Sequence, residues 1–192
     1  MEKTGTFHPA HLRRTNTAKI GLFVVLGSET IFFGTLLSAY FFLRATLTSW
    51  PFGAVTFSRL LVPGANTLLL LLSALTMYLG LRAIRLNRTA SLKVWLILTL
   101  ATGLIFVAGQ VFEFNRSGMK VSDQAFGGVF FTLMGFHAVH VIAGVIMLIL
   151  LTWRAFQGDF NAHRYTAIQV GAWFWYFIVA VWVVLFISLY LV

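Results

Sequence analysis

Residues 127–144, GGVFFTLMGFHAVHVIAG, place two histidines inside an otherwise apolar stretch. His137 and His140 are three residues apart, so on a helix they share a face, and Leu133 and Gly144 extend that stripe one turn either way. A glycine at 144 lets a neighbouring backbone approach beside the imidazoles. The histidines are therefore expected to face protein rather than lipid.

Four more apolar runs flank this one. A helix needs roughly 20 apolar residues to cross about 30 Å of hydrocarbon, and the sequence predicts five such spans over residues 20–43, 60–81, 94–112, 127–153 and 168–192. The fold class expected is an all-α polytopic membrane bundle forming one transmembrane domain, 1–192. No internal repeat or low-complexity tract points to the inverted halves of a transporter, and the connections are too short for a soluble domain. The polar segment up to Lys19 runs straight into a full-length span, which is not the pattern of a cleavable signal peptide.

Composition agrees: 59% of residues are hydrophobic, 10% are charged, and the mean hydropathy is +0.89. The formal charge of +9 suggests nucleic acid only until its distribution is read. The basic residues lie in short connections, where they set topology, so no nucleic-acid partner is expected. Lys3, Arg13, Arg14, Lys19, Arg82, Arg85, Arg88, Lys93, Arg154 and Arg164 fall on one side, and only Arg44, Arg59, Arg116 and Lys120 on the other. The positive-inside rule then puts the N-terminus in the cytoplasm and the C-terminus outside. With no cysteine, disulfides, Fe–S clusters and a cysteine-bridged dicopper centre are excluded.

Polar groups within the spans are the candidate functional residues. Glu29 sits about ten residues into the first span, roughly 15 Å deep and near the midplane. An uncompensated carboxylate there costs several kcal/mol, so Glu29 signals proton handling or a structural polar contact. In the second span, Pro63 and Gly64 precede Asn66 and Thr67, which are available to cap a break in the first turn, and Ser73, Ala74 and Thr76 offer a small face for helix packing. Gln110 and Glu113 end the third span, where Glu113 suits a cap or interface contact, and Ser122 and Asp123 suit an N-cap for the fourth.

Haem is the sharp hypothesis for the histidines. Two axial ligands must approach iron from opposite faces, which residues one turn apart on one helix cannot do for one haem. His137 and His140 are left to ligate separate centres, to pair with an acid, or to make a polar contact within the bundle. The run Trp173, Phe174, Trp175, Tyr176, Phe177, with Trp182 beyond, reads as interfacial anchoring and packing.

In order, these segments resemble subunit III of the haem-copper respiratory oxidases in its short, five-span bacterial form. The resemblance covers the chain after Lys19. It rests on Ser28, Glu29, Phe32 and Phe33 with Ala39 and Tyr40 or Phe41, on Asn66, Thr67, Ser73 and Thr76, and on Gln110, Glu113 and Phe114. It continues through Ser122, Asp123, Gly127, Phe130 and Phe131, then Gly135, Phe136, His137, His140, Val141, Ile142 and Gly144. It closes with Arg154, Gly171, Ala172, Trp173, Trp175, Phe177 and Trp182.

The resemblance implies a non-catalytic subunit, with no active site of its own, of a cytochrome c or quinol oxidase in the bacterial inner membrane. It would pack on haem-bearing subunit I, hold phospholipid, and support proton uptake and stability during turnover. Haem and copper are expected in partner subunits and none in this chain. Glu29, Glu113, His137 and His140 become proton-related or buried polar contacts, and Arg154, Trp173 and Trp175 candidate lipid contacts, with Arg154 meeting a phosphate at headgroup depth.

The chain also departs from the family pattern. Tyr176 and Val179 stand where the family usually has a histidine and an aspartate, Gln169 replaces a common acid, and a histidine pair is missing around residues 79–82. Longer members carry two more N-terminal helices, which leaves open what supplies them here. The departures allow an accessory subunit of a nitric oxide reductase system. A different class, a small proton-coupled transporter with Glu29 and His137 as a relay, and a membrane cytochrome holding haem through His137 or His140, are the other readings.

Overall fold

The computed structural model of the chain describes residues 9–46, 57–117 and 124–191. The helices are α1 (Pro9–Thr46), α2 (Phe57–Arg85), α3 (Thr89–Ser117), α4 (Gln124–Phe156) and α5 (Thr166–Phe186), the last followed by a π-helical turn, Ile187–Leu191. All five are long and apolar enough to cross a membrane. In hydrocarbon no water satisfies backbone N–H and C=O groups, and a helix pairs them all within its own segment.

The helices outrun the apolar spans at several ends. Backbone pairing carries α2 through Arg82 and Arg85, and α3 starts at Thr89 rather than at the first strongly apolar residue. Lysine and arginine are good helix formers, so a change in hydropathy does not end a helix. The expected break at Pro63 and Gly64 does not occur. Pro63 is buried inside a continuous α2, and Thr67 Oγ1 donates to the Pro63 carbonyl at 2.7 Å. Asn66 and Thr67 are thus buried mid-helix groups and not caps. Ser122 and Asp123 lie outside the described residues.

Helices α2, α3, α4 and α5 form a closed ring, each packing on its two neighbours. Helix α1 lies outside the ring, chiefly against α4 and α5, and only 6% of its most apolar segment is buried, against 28–44% in the other helices. The α2–α3 and α4–α5 connections meet at one end of the ring, where the Asn87 side-chain oxygen accepts from the Ala162 backbone N–H. Two left-handed residues, Asn87 (φ 56°) and Gly158 (φ 82°), reverse the chain there. Arg82, Arg85, Arg88 and Arg164 lie exposed at this basic end.

Trp175 is the centre of the ring. It is fully buried, its ring lies against Gly103 of α3 and Gly144 of α4, and its Nε1–H donates to Ser73 Oγ of α2 at 3.0 Å. Gly144 therefore admits the side chains of Trp175 and Ile178, not the neighbouring backbone expected from the sequence. A Cβ at 144 would stand 2.7 Å from Ile178 Cδ1 and 2.9 Å from Trp175 Cζ3. Gly144→Val is expected to cost about 1–3 kcal/mol through overpacking. Gly21→Ala, with nothing within 4 Å of the new methyl, should leave stability unchanged or slightly raised. Thermal unfolding of the two variants in mild detergent checks the contrast.

Candidate functional site

The candidate residues divide into three places. The first is the seam between α1 and α4, where Glu29 Oε2 lies 3.0 Å from His140 Nε2. The other ring nitrogen of His140, Nδ1, is 2.7 Å from the Phe136 carbonyl oxygen. A carbonyl only accepts, so Nδ1 carries a hydrogen. A hydrogen bond across the 3.0 Å gap needs one further hydrogen, on Nε2 or on Glu29, giving either imidazolium beside carboxylate or neutral imidazole accepting from a carboxylic acid. The pair is electrically neutral in both forms, which is what makes it tolerable at membrane depth.

Aromatic rings fix the approach of the two groups. Phe33 meets the His140 ring edge-on at 5.3 Å between centroids, and Phe32 meets Phe136 at 4.8 Å. Ser28 and Thr30, on either side of Glu29, donate to their own helix at Val25 and Leu26. Side-chain exposure is 16% for His140 and 29% for Glu29, so the pair sits at the edge of the seam.

The second place lies inside the ring, toward the end opposite the basic connections. His137 is 2% exposed, and its ring stacks on Trp182 at 5.3 Å. Trp182 Nε1–H donates to Thr67 Oγ1 at 3.0 Å, and Phe106 packs edge-on against both rings. Neither His137 nitrogen has a hydrogen-bond partner. Farther along α3, Glu113 Oε1 accepts from the Tyr190 hydroxyl of the π turn at 2.9 Å. Glu29 thus meets His140, and His137 belongs to a different environment, so the relay pairing of Glu29 with His137 does not form.

The third place is the basic end. Arg154 Nε–H donates to Asp159 Oδ2 at 2.8 Å, with its guanidinium over Phe160. Trp173 is half-buried between α1 and α5, against Phe23 at 5.0 Å and Lys19 at 5.9 Å. Trp175 has no surface to offer a lipid, because the ring encloses it. Its grouping with Trp173 as a lipid contact is corrected accordingly. Among the described residues, no three of His, Cys, Asp or Glu come together to hold a metal ion.

Sequence reasoning missed several partners. Ser73 as acceptor for Trp175, Tyr190 as donor to Glu113, and Tyr40, whose hydroxyl donates to the Ser188 carbonyl at 3.1 Å, all cross between helices. The small face around Ser73 and Thr76 was the available signal, and Thr76 does meet Thr99 of α3 at 2.8 Å.

Comparison with known proteins places this geometry in context. The sequence profile of the family described as cytochrome c oxidase subunit III matches residues 1–192. The chain is 34% identical over 172 residues to the cytochrome c oxidase subunit 3 of Synechocystis sp., covering 89% of this chain and 74% of that protein. It is 34% identical to the protein of that name from Thermostichus vulcanus, over 90% of this chain and 86% of the relative. With the Corynebacterium diphtheriae protein of that name, identity is again 34%, over 95% and 92%.

The seam makes a double-mutant prediction. Glu29→Leu or His140→Leu alone leaves a polar partner unmatched and is expected to cost about 1–3 kcal/mol. The double variant should be less destabilised than the sum of the two, by about 0.5–3 kcal/mol. Glu29→Gln, whose amide still donates to a neutral His140, should stay within about 1 kcal/mol of the parent. Thermal unfolding of the parent, the two single leucine variants and the double variant in mild detergent gives the coupling energy, with Glu29→Gln measured beside them.

Proposed function

The chain belongs to the cytochrome c oxidase subunit III family, and from that premise we propose that it is the non-catalytic third subunit of a haem-copper terminal oxidase. The observation that carries this reading is the match over the entire chain, joined by relatives that cover most of their own length. Their names favour cytochrome c as the electron donor over quinol, and an oxidase over a nitric oxide reductase.

As a multi-pass protein of the bacterial inner membrane, the chain would lie with its basic end in the cytoplasm, following the ten-to-four division of Lys and Arg. It would associate with the haem-bearing subunit I and other oxidase subunits, which would carry the haem and copper. The chemistry of its own residues is limited to holding and moving a proton. Glu29 and His140, 3.0 Å apart at the α1–α4 seam, would hold one proton between them. Phospholipid contacts fall to Trp173, beside the Lys19 ammonium, and to Arg154, whose contact with Asp159 uses Nε.

Two outcomes test this. A C-terminally tagged chain purified in mild detergent should bring down a large haem-bearing subunit, and the separated chain should show no haem bands in a reduced-minus-oxidised spectrum. Recovery of the chain alone and haem-free would overturn the reading. Glu29→Gln fixes the pair in its neutral form and removes the shared proton, so the assembled oxidase should inactivate faster during turnover or take up protons more slowly. Unchanged oxygen consumption, proton uptake and inactivation together would remove Glu29 from that role.

A further inference from the structure

Three of the buried polar side chains lie at one level of the ring. His137 of α4 is 2% exposed, Asn66 of α2 is 5% and Gln110 of α3 is 8%. Both nitrogens of His137, the amide nitrogen of Asn66 and that of Gln110 have no hydrogen-bond partner. Four orphaned nitrogens from three helices depart from the rule that buried polar atoms are paired. A buried polar atom left unpaired loses its hydration without a replacement bond, so the cluster calls for a ligand.

Shared neighbours hold these residues at one level. Asn66 adjoins Thr67, which accepts from Trp182, and Trp182 carries His137 on its face. Phe106 touches both Trp182 and His137, and Gln110 follows it one turn later on the same side of α3. A Cβ at Gly109 would run into the Asn66 amide, so the Asn66 side chain lies against α3 beside Gln110. Glu113 continues this face of α3, and its Oε2 is likewise buried without a partner.

The donor set decides the ligand class. Among the described residues one imidazole and two amides form no metal-binding group. The flanking Phe106 and Trp182 are both about 1% exposed, which excludes a lipid headgroup from this level. Two amide NH2 groups donate only, whereas a neutral imidazole needs one donor and one acceptor. A molecule that both donates and accepts, and is small enough to lie between close-packed helices, meets all of them. We propose that Asn66, Gln110 and His137 form an internal hydration site, in which ordered water bridges α2, α3 and α4 and extends along α3 toward Glu113. Buried water with two to four polar partners is a regular component of protein interiors.

The site is separate from the oxidase reading, and it is tested on the intact assembly purified through this chain. A cryo-electron microscopy map in lipid nanodiscs, sharp enough to show ordered water, should contain a density peak about 2.6–3.2 Å from a His137 ring nitrogen and from the Asn66 or Gln110 amide. In a map of His137→Phe, which keeps the stack on Trp182, the peak at the ring position should be lost. Direct pairing of the two amides and the imidazole with one another, with no intervening density, would overturn the proposal. So would an anhydrous cluster in the parent map, or a peak that persists unchanged in His137→Phe. The parent map alone decides the question if the variant does not assemble.

Discussion

Trp175 is the contact on which the ring depends. Lipid tails are as apolar as the side chains they meet, so burial gives transmembrane helices little reason to associate, and close packing with interhelical hydrogen bonds must do so instead. The Trp175 indole supplies both. Its plane occupies the space left by Gly103 and Gly144, and its N–H reaches Ser73, so one side chain of α5 touches the other three helices of the ring. Trp182 repeats the arrangement two turns along, donating to Thr67 while its faces take His137 and Phe106. Since α2 and α5 run in opposite directions, the pairs Trp175 with Ser73 and Trp182 with Thr67 fix both register and rotation. A slip of either helix by one residue would strand two indole N–H groups in hydrocarbon.

Helix α1 is held differently. It buries little of its surface and meets the ring along one line: Phe23 against Trp173 at the basic end, Glu29 against His140 midway, and Tyr40 against the Ser188 carbonyl at the far end. The outer anchor depends on the π turn, whose wider winding presents the Ser188 carbonyl to α1 while sending Tyr190 to Glu113 on α3. Aromatic contacts therefore orient α1, and the Glu29–His140 pair completes its contact midway.

The number and type of elements were legible because a bilayer sets helix length, and hydropathy reports that length directly. The depth of Glu29 and the shared face of the histidines followed from helix geometry in the same way. Which histidine meets Glu29 did not, because His137 and His140 differ by less than a turn and the choice depends on how α1 is rotated against α4. That rotation is set by Phe32, Phe33 and Phe136, whose contacts no spacing rule predicts. Trp173 and Trp175 posed the same problem: two residues apart in an aromatic run, one flanks α1 and the other fills the centre of the ring. Pro63 misled for a different reason. Its ring costs a backbone bond only to a residue one turn earlier, near the start of α2, where the helix has least to lose.

The departures in α5 fit this division of labour. Val179, where the family pattern carries an acid, is buried against apolar neighbours. An uncompensated carboxylate at that depth would need a partner, and valine removes the need. Two polar places of the described residues stand out, the level around His137 and the seam that holds α1. Only the second sets two ionisable side chains against each other between the ring and a helix outside it. The contact of α1 with the ring thus includes an ionisable pair, whereas two neutral indole bonds close the ring.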